Sequence, residues 1–420
     1  MRSLTIIAAL ICAFLLRGAD PTETAYSFTE CEGSMTPYPI PNKNIALPDS
    51  LTAIFINHVG RHGSRFPASS RDVTKVIDVL ATADSAKALT PDGEELLRLA
   101  KFVNATATNR WGALDSLGMA EQRGIASRMY RNYQQLFNNA NIAAMSSYSP
   151  RCLMSMYEFT HQLDRLNNHL EISTTSGRQN SPLLRPFDID SDFLEWTKEG
   201  SWKEADNMQY ETMMPTAPAR KLFSEEYATK LSSESARELT FHIFKLLQGL
   251  PAMGLNPQIE KYFTRAEANQ AWSCTNLSHY LEWTATTLST SPAEIAAPLL
   301  INLLTTAEKA VNGENKYNVI LRFAHAETIY PLLSLMRLDG CYYLTNYFDT
   351  VALHWKDFDI TPMSANLQMI VAKTKKGKIY VRFDLNEKPI PLLPGSDNIY
   401  TPWQEVYDYL LRCIPLHLRP

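Results

Sequence analysis

Near both ends of the chain, short apolar runs alternate with longer amphipathic stretches. Residues 51–56, 141–149 and 317–324 form runs rich in β-branched or small apolar side chains, and each is short enough for a buried strand. Two further runs, 366–373 and 378–383, flank a Lys-Lys-Gly sequence. That arrangement predicts a β-hairpin.

The amphipathic stretches predict helices between these strands. Thr90 is a capping residue, Pro91 suits the first helical position, and acidic residues fill the first turn. Further helices are predicted over 117–137, after Pro150, from Ile329 to about Arg337, and over 402–413. Strands that alternate with helices indicate an α/β fold with a mainly parallel sheet flanked by helices.

The pattern changes between residues 166 and 315. Aromatic and polar residues mix there with helical runs such as 232–241 and 292–311, without an internal repeat or a low-complexity tract. We therefore predict a mostly helical domain, 166–315, inserted into an α/β catalytic domain of residues 20–165 and 316–420.

The first 19 residues form a separate segment. Arg2 precedes an apolar run from Leu4 to Leu16, and Arg17-Gly18-Ala19 follows it. This is the pattern of a secretory signal peptide, and the run is too short to span a bilayer comfortably. No later segment is apolar for long enough to be transmembrane. We expect a secreted or periplasmic protein with no stable membrane insertion after signal removal.

The charge balance limits the classes of partner. The chain has 40 Lys and Arg against 44 Asp and Glu, a formal net charge of −4 that becomes about −6 once Arg2 and Arg17 are removed. A mildly acidic protein is not a general nucleic-acid binder, so no nucleic-acid partner is expected. Basic groups that converge in one cleft can still bind a polyanion.

Five cysteines remain after removal of the signal segment. Because export permits disulfides and the number is odd, at least one thiol stays unpaired. Two bridges among five cysteines have fifteen arrangements, and the sequence does not choose between them. None of the cysteines has zinc-ligand spacing, and no H-E-x-x-H motif occurs. We expect no metal and no other cofactor.

The residues with the strongest chemical signal follow the first predicted strand, in the segment N-H-V-G-R-H-G-S-R-F-P. We expect the chain to turn sharply at Gly60 and Gly63, because glycine tolerates unusual backbone angles, and to present His62 between Arg61 and Arg65. Two guanidinium groups can bind phosphate oxygens while a neutral imidazole attacks the phosphorus. The alternative is an ordinary solvated loop.

Two further segments lie just after predicted strands. Arg151 follows the strand 141–149, and His325-Ala326-Glu327-Thr328 follows the strand 317–324. Side chains at the carboxyl ends of strands can reach a ligand over the sheet edge. The alternatives are a surface ion pair for Arg151, a buried structural histidine at His325, and a helix-dipole role for Glu327.

R-H-G-S-R-F-P, S-P-R-C, H-A-E-T and an L-G-x-x-E pattern from Leu117 together resemble the histidine phosphatase superfamily. Within it, the chain most resembles the multiple inositol polyphosphate phosphatases of the histidine acid phosphatase and phytase branch. The resemblance implies that His62 is transiently phosphorylated while Arg61 and Arg65 hold the transferring group. It also implies that Arg151 is a third clamp and that the inserted domain forms one wall of the substrate cleft.

Two chemical requirements give the remaining residues their expected roles. The repulsive oxygens of a phosphate monoester need positive charge and N–H donors, which we assign to Arg61, Arg65, Arg151 and His325. The alcohol is a poor leaving group, and Glu327 is the candidate general acid. Phytases of the H-D type carry Asp directly after the histidine, where this chain has Ala326. H-A-E resembles the inositol polyphosphate branch, in which Glu takes that role.

The expected function is therefore an exported phosphomonoesterase that acts on inositol polyphosphates such as phytate. A broad-specificity acid phosphatase and a non-catalytic phosphate-binding protein remain alternatives, and the latter would not need Glu327. A phosphoglycerate-type mutase is disfavoured because its substrates are cytosolic. A polyanionic substrate needs more cations, and the candidates are Arg71, Lys75, Arg178, Arg185 and Lys198.

Overall fold

The computed structural model describes residues 25–42 and 46–419. The expected signal peptide, residues 1–19, lies outside this part of the chain. The described strands form one eight-stranded sheet. They are β1 (Leu51–Arg61), β2 (Asn141–Ser146), β3 (Glu171–Ser176), β4 (Val319–Ala324), β5 (Asn366–Thr374), β6 (Ile379–Leu385), β7 (Lys388–Ile390) and β8 (Thr401–Pro402).

Helices flank this sheet. The longer ones are α1 (Arg71–Ser85), α2 (Pro91–Ala107), α3 (Ser116–Asn132), α4 (Pro150–Leu166), α5 (Ser191–Glu199), α6 (Trp202–Met213), α7 (Ser233–Gln248), α8 (Arg265–Trp283), α9 (Ala297–Val311), α10 (Ala326–Leu335) and α11 (Trp403–Cys413). Short helical segments include Glu30–Met35, Gln134–Phe137, Arg178–Asn180, Ser181–Leu184, Pro186–Asp188, Ala217–Arg220, Glu225–Lys230, Pro251–Met253, Ile259–Tyr262, Ser291–Glu294, Phe348–Thr350, Val351–His354, Asp357–Ile360 and Leu416–Leu418.

The strand order is β3-β2-β4-β1-β5-β6-β7, with β8 beside β6. The predicted α/β class is confirmed, but the sheet is mixed instead of mainly parallel. Strands β3, β2, β4 and β1 pair in parallel, whereas β5, β6 and β7 continue the sheet antiparallel to their neighbours. The reason is local, because a tight hairpin such as β5–β6 can only reverse the chain. Gly377 provides the positive φ of that turn, 84°.

Several elements follow their sequence signals closely. Thr90 caps α2, its side chain accepting a hydrogen bond from the Gly93 amide, and Pro91 occupies the first position. Helix α1 was not predicted, although it buries Val73, Val76 and Leu80 at helical spacing. Strand β1 is longer than the predicted run 51–56 and continues through Arg61.

The region 166–315 is mostly helical, as expected, but its two ends join the sheet layers. Strand β3 pairs with β2 at one edge of the sheet. Helix α9 packs on the sheet, where the Asn57 side-chain amide donates to the Leu303 carbonyl at 3.0 Å. The helical part that stands apart from the sheet is therefore shorter than the predicted insertion, and its status as a separate domain stays a prediction.

Apolar side chains fill both faces of the sheet. Phe55 and Val59 of β1 pack with Leu300 of α9 on one face. Ile56 of the same strand packs with Phe159 of α4 on the other, as the period-2 alternation of a strand requires. A third cluster joins α1, α2, α7 and α8. No described helix has both the length and the apolar character needed to cross a membrane.

Candidate active site

The parallel half of the sheet brings the predicted site residues to one edge. Arg61 at the end of β1 lies beside Ala324 at the end of β4, and Ser146 at the end of β2 lies beside Phe323. The chain therefore continues from three adjacent strand ends into His62, into the loop before Arg151, and into His325. This convergence was expected from the sequence and follows from parallel pairing alone.

His62 is held as a neutral ring with a defined tautomer. Its Nδ1 lies 2.9 Å from the Gly63 carbonyl oxygen, and since a carbonyl can only accept, Nδ1 carries the proton. Burial lowers the pKa of His62 well below its ordinary value, and the positive charges of Arg151, Arg61 and Arg65 lower it further. The Nε2 lone pair is therefore available to attack an electrophile.

The glycines of this segment have a different role from the predicted one. Gly60 lies inside β1, and neither it nor Gly63 has a positive φ. Each is required by close packing. A Cβ on Gly60 would lie 2.6 Å from Cε1 of His58, and one on Gly63 would lie 2.5 Å from the carbonyl oxygen of Gly118. The His62 loop thus rests directly on the first turn of α3.

Glu121 of α3 anchors the His62 loop by hydrogen bonds. This carboxylate is buried and accepts hydrogen bonds from the Ser64 amide at 2.9 Å and the Ser64 hydroxyl at 2.7 Å. It also accepts from the Ser364 hydroxyl at 2.8 Å and the Tyr38 amide at 2.9 Å. The L-G-x-x-E pattern is therefore a structural signature, in which Gly118 admits the loop and Glu121 anchors it.

Three arginines, Arg61, Arg65 and Arg151, place their positive charges close to His62. Within residues 25–42 and 46–419, Arg61, Arg65 and Arg151 form no ion pair, and each has a buried Nε without a hydrogen-bond acceptor. Burial lowers the pKa of Arg65 to about 9, and the charges of Arg151 and Arg61 add to that effect. Burying several unpaired cations together is costly. Such an arrangement is typical of a site that binds an anion.

His325 lies beside His62, with 5.6 Å between the ring centroids. The guanidinium of Arg185 approaches its Nε2 at 2.7 Å, and that of Arg151 approaches its Nδ1 at 3.3 Å. A neutral imidazole has only one acceptor nitrogen, and the shorter contact assigns that role to Nε2. The proton on Nδ1 can then be donated to a ligand. Burial lowers the pKa of His325 to about 3.

Glu327 is the second residue of α10 and is half-buried. Burial raises the pKa of Glu327, but His325, the backbone N–H of Glu327 itself, Arg61 and Arg151 outweigh it and lower the pKa to about 2. The carboxylate is therefore ionised in the free site. It can donate a proton only if a bound anion offsets the arginine charges. Its place in the first turn also fits the helix-dipole alternative.

The five candidate cations for a polyanion fall into two groups, one next to the site and one on exposed helix surfaces. Arg185 reaches the site through His325 and is paired with Asp188 at 2.6 Å. Arg178 and Arg185 both stack on the ring of Tyr148, at 4.4 and 4.9 Å from its centroid. Lys75 and Lys198 instead form exposed ion pairs with Glu238 and Glu199, and Arg71 is an exposed residue at the start of α1.

Other groups at the site had no recognisable sequence signal. The Ser147 hydroxyl lies 3.0 Å from Nε2 of His325, and the Ser155 hydroxyl accepts from the Gly63 amide at 3.1 Å. His58, which precedes the motif, is buried between Phe159 and Phe323 instead of reaching the site.

Among the described side chains, no group of three or more His, Cys, Asp or Glu residues is arranged to hold a metal ion.

Comparison with known proteins points to one family. The model of the histidine phosphatase superfamily, branch 2, matches residues 54–386. Human multiple inositol polyphosphate phosphatase 1 is 24% identical over 388 residues, which cover 84% of this chain and 78% of the human protein.

Solved structures share the fold. The apo form of the Bifidobacterium longum multiple inositol polyphosphate phosphatase superposes with a TM-score of 0.79 at 18% identity, covering 91% of this chain and 97% of that one. Its complex with inositol hexasulfate gives 0.78 at 17% identity, covering 92% and 99%. The phytase from D. castellii gives 0.66 at 17% identity, covering 92% and 86%.

Proposed function

Because the chain belongs to branch 2 of the histidine phosphatase superfamily, and is thus a phosphatase, we propose that it hydrolyses inositol polyphosphates, phytate foremost, through a phosphohistidine at His62. One observation carries the proposal. A neutral histidine with a free Nε2 lies among three arginines that have no carboxylate partner in the described part of the chain. That combination supplies a nucleophile and an anion clamp at the same point.

The first step is transfer of the phosphoryl group to the enzyme. Nε2 of His62 attacks the phosphorus, the N–P bond forms, and the bond from phosphorus to the ester oxygen breaks. Glu327 gives its proton to the departing oxygen. The guanidinium groups of Arg61, Arg65 and Arg151, with Nδ1–H of His325, bind the phosphoryl oxygens. Preorganised donors of this kind are each worth roughly 3–4 kcal/mol in the transition state.

The second step releases phosphate. Water attacks the phosphorus, the N–P bond breaks, and the electron pair returns to Nε2 of His62. The Glu327 carboxylate, left ionised by the first step, accepts a proton from the water. The site is then restored with inorganic phosphate bound among the arginines.

Two observations support the substrate class: the names of the relatives, and positive charge near the site in addition to the residues that bind the transferring phosphate. The human and Bifidobacterium longum proteins are named multiple inositol polyphosphate phosphatases, and the latter was crystallised with inositol hexasulfate. In this chain, Arg185 adds a cation beside His325, and Arg178 lies next to it on Tyr148. Such positions suit the other phosphates of a polyanion.

Export is part of the proposal and rests on the sequence pattern of residues 1–19 alone. If the segment is a signal peptide, the intact mass of protein recovered from the periplasm or medium should correspond to a chain that lacks it. A recovered mass that includes residues 1–19 would contradict export by this route.

The direct test is phosphate release from a panel of phosphate esters, with phytate included. We expect phytate to have the highest kcat/KM, and His62→Ala to fall below a tenth of the wild-type rate on every ester. His161→Ala is a matched control, because that exposed histidine lies on α4. Equal release across the panel would indicate a general acid phosphatase. Phosphate binding without release would indicate a non-catalytic protein.

A further inference from the structure

The orientation of Arg61 depends on two backbone carbonyls from distant segments. Its NH1 group donates to the carbonyl oxygen of Ser34 at 2.5 Å and to that of Thr361 at 2.6 Å. Arg61 is only 4% exposed. No described protein group accepts a hydrogen bond from its buried Nε.

Asp357 holds both of these segments. Its carboxylate accepts a hydrogen bond from the Ser34 amide at 3.1 Å, and its backbone carbonyl accepts from the Thr361 amide at 2.8 Å. The two residues whose carbonyls orient Arg61 are therefore both hydrogen-bonded to Asp357 through their amides. A shift of Asp357 would move both carbonyls together.

Helix α8 fixes Asp357 in turn. The indole N–H of Trp272 donates to Oδ1 at 2.9 Å, Nδ1 of His279 lies 3.0 Å from Oδ2, and the Asn276 side chain accepts from the Asp357 amide at 2.9 Å. Gly33 completes the enclosure. Its φ is 61°, and a Cβ there would lie 3.0 Å from Oδ2 of Asp357.

We propose that Asp357 is a positioning residue for phosphoryl transfer, which links α8 in the inserted region to Arg61 through Ser34 and Thr361. The inference rests on the proposed role of Arg61 in binding the transferring group. Asp357 touches no reacting atom, so its whole contribution passes through Arg61. Burial raises the pKa of Asp357, but His279, Trp272 and the Ser34 amide outweigh it, and the carboxylate stays ionised.

The test is a double-mutant cycle on kcat/KM for p-nitrophenyl phosphate. Asn at position 357 keeps the shape but places an N–H donor against donors, so Asp357→Asn should lower kcat/KM by about 10- to 100-fold, the scale of a misplacement near 1 Å. In the Arg61→Ala background the same change should have no effect within about twofold. A purely structural role would lower kcat/KM by the same factor in both backgrounds and overturn the inference.

Two further variants make the result unambiguous. Asp384→Asn is the matched control, because this buried carboxylate accepts a hydrogen bond from Arg382 and not from Ser34, Thr361 or Arg61. Its effect should be equal in both backgrounds. If Asp357→Asn does not fold, Trp272→Phe removes one donor to Asp357 and keeps a ring, and its smaller loss should likewise require Arg61. If Arg61→Ala alone leaves kcat/KM unchanged, the proposed function of Arg61 fails instead.

Discussion

The Glu327→Gln variant should distinguish a proton donor from a carboxylate that only stabilises α10. With a pKa of about 2 in the free site, only about one Glu327 in a thousand would carry a proton near pH 5. A donor role therefore requires the bound phosphate to raise this pKa by offsetting the charges of Arg61 and Arg151. The variant removes that proton without removing the hydrogen-bonding shape.

The expected loss depends on the leaving group. A general acid contributes about 10²–10⁴ in rate, so kcat/KM on phytate, which reports the steps up to phosphoryl transfer and not the later hydrolysis of the phosphohistidine, should fall by that factor. p-Nitrophenolate leaves without a proton, and the loss of kcat/KM on its phosphate ester should stay under about tenfold. Glu327 acts in its protonated form, so wild-type kcat on phytate should fall as the pH rises through its pKa in the complex. That descending limb should be absent in the variant.

A nearby acid provides the control. Glu282 at the end of α8 is half-buried, and burial raises its pKa to about 7, with the Glu327 charge contributing. Glu282→Gln should lower kcat/KM on both substrates equally or not at all. Equal losses on both substrates for Glu327→Gln would refute the donor role. A large loss on phytate with a small loss on p-nitrophenyl phosphate in Glu282→Gln would instead identify Glu282 as the proton donor.

Three other predictions follow from the same geometry. KM for phytate should rise steeply between low and physiological salt, while KM for a singly phosphorylated ester should rise much less. The reason is that salt shortens the Debye length to about 8 Å and so screens the many charges of phytate from the cations of the site. Parallel changes in the two KM values would argue against an extended cationic pocket. Gly63→Ala should abolish activity and lower the free energy of unfolding by about 1–3 kcal/mol, since its Cβ would meet Gly118 backbone at 2.5 Å; wild-type kcat in this variant would contradict the packing argument. Thiol titration of unfolded, unreduced protein without residues 1–19 should find five free cysteines, because all five described cysteines are buried thiols; a lower count would reveal a disulfide.

The convergence of His62, Arg151 and His325 could be predicted from the sequence because it depends only on strands and their ends. Each residue follows an apolar run, and parallel pairing brings the carboxyl ends of β1, β2 and β4 to one edge. The sequence patterns do not predict how far the antiparallel half of the sheet extends. Its hairpin was recognised, but the pairing of β5 with β1 depends on tertiary contacts that no local pattern encodes.

The groups that orient the site were not predictable, for a different reason. Arg61 is held by the carbonyls of Ser34 and Thr361, which are 27 and 300 residues away in sequence. Every residue has a carbonyl, so such contacts leave no trace in residue identity. Asp357 lies in none of the recognised motifs, and its contact with Ser34 spans 323 residues. The role of Gly60 and Gly63 could not be read from the sequence either, because close packing and a sharp turn both require glycine.

The central claim is that His62 is the nucleophile, and trapping the phosphoryl-enzyme tests it most directly. Glu327→Gln should be mixed with labelled p-nitrophenyl phosphate and quenched with alkali, in which phosphohistidine survives. This ester phosphorylates the enzyme without acid help, whereas the variant lacks the base that hydrolyses the intermediate. The account predicts acid-labile label approaching one per chain on the peptide that contains His62, and none in a variant that also carries His62→Ala. Label on another residue, or turnover with no label on His62, would contradict it.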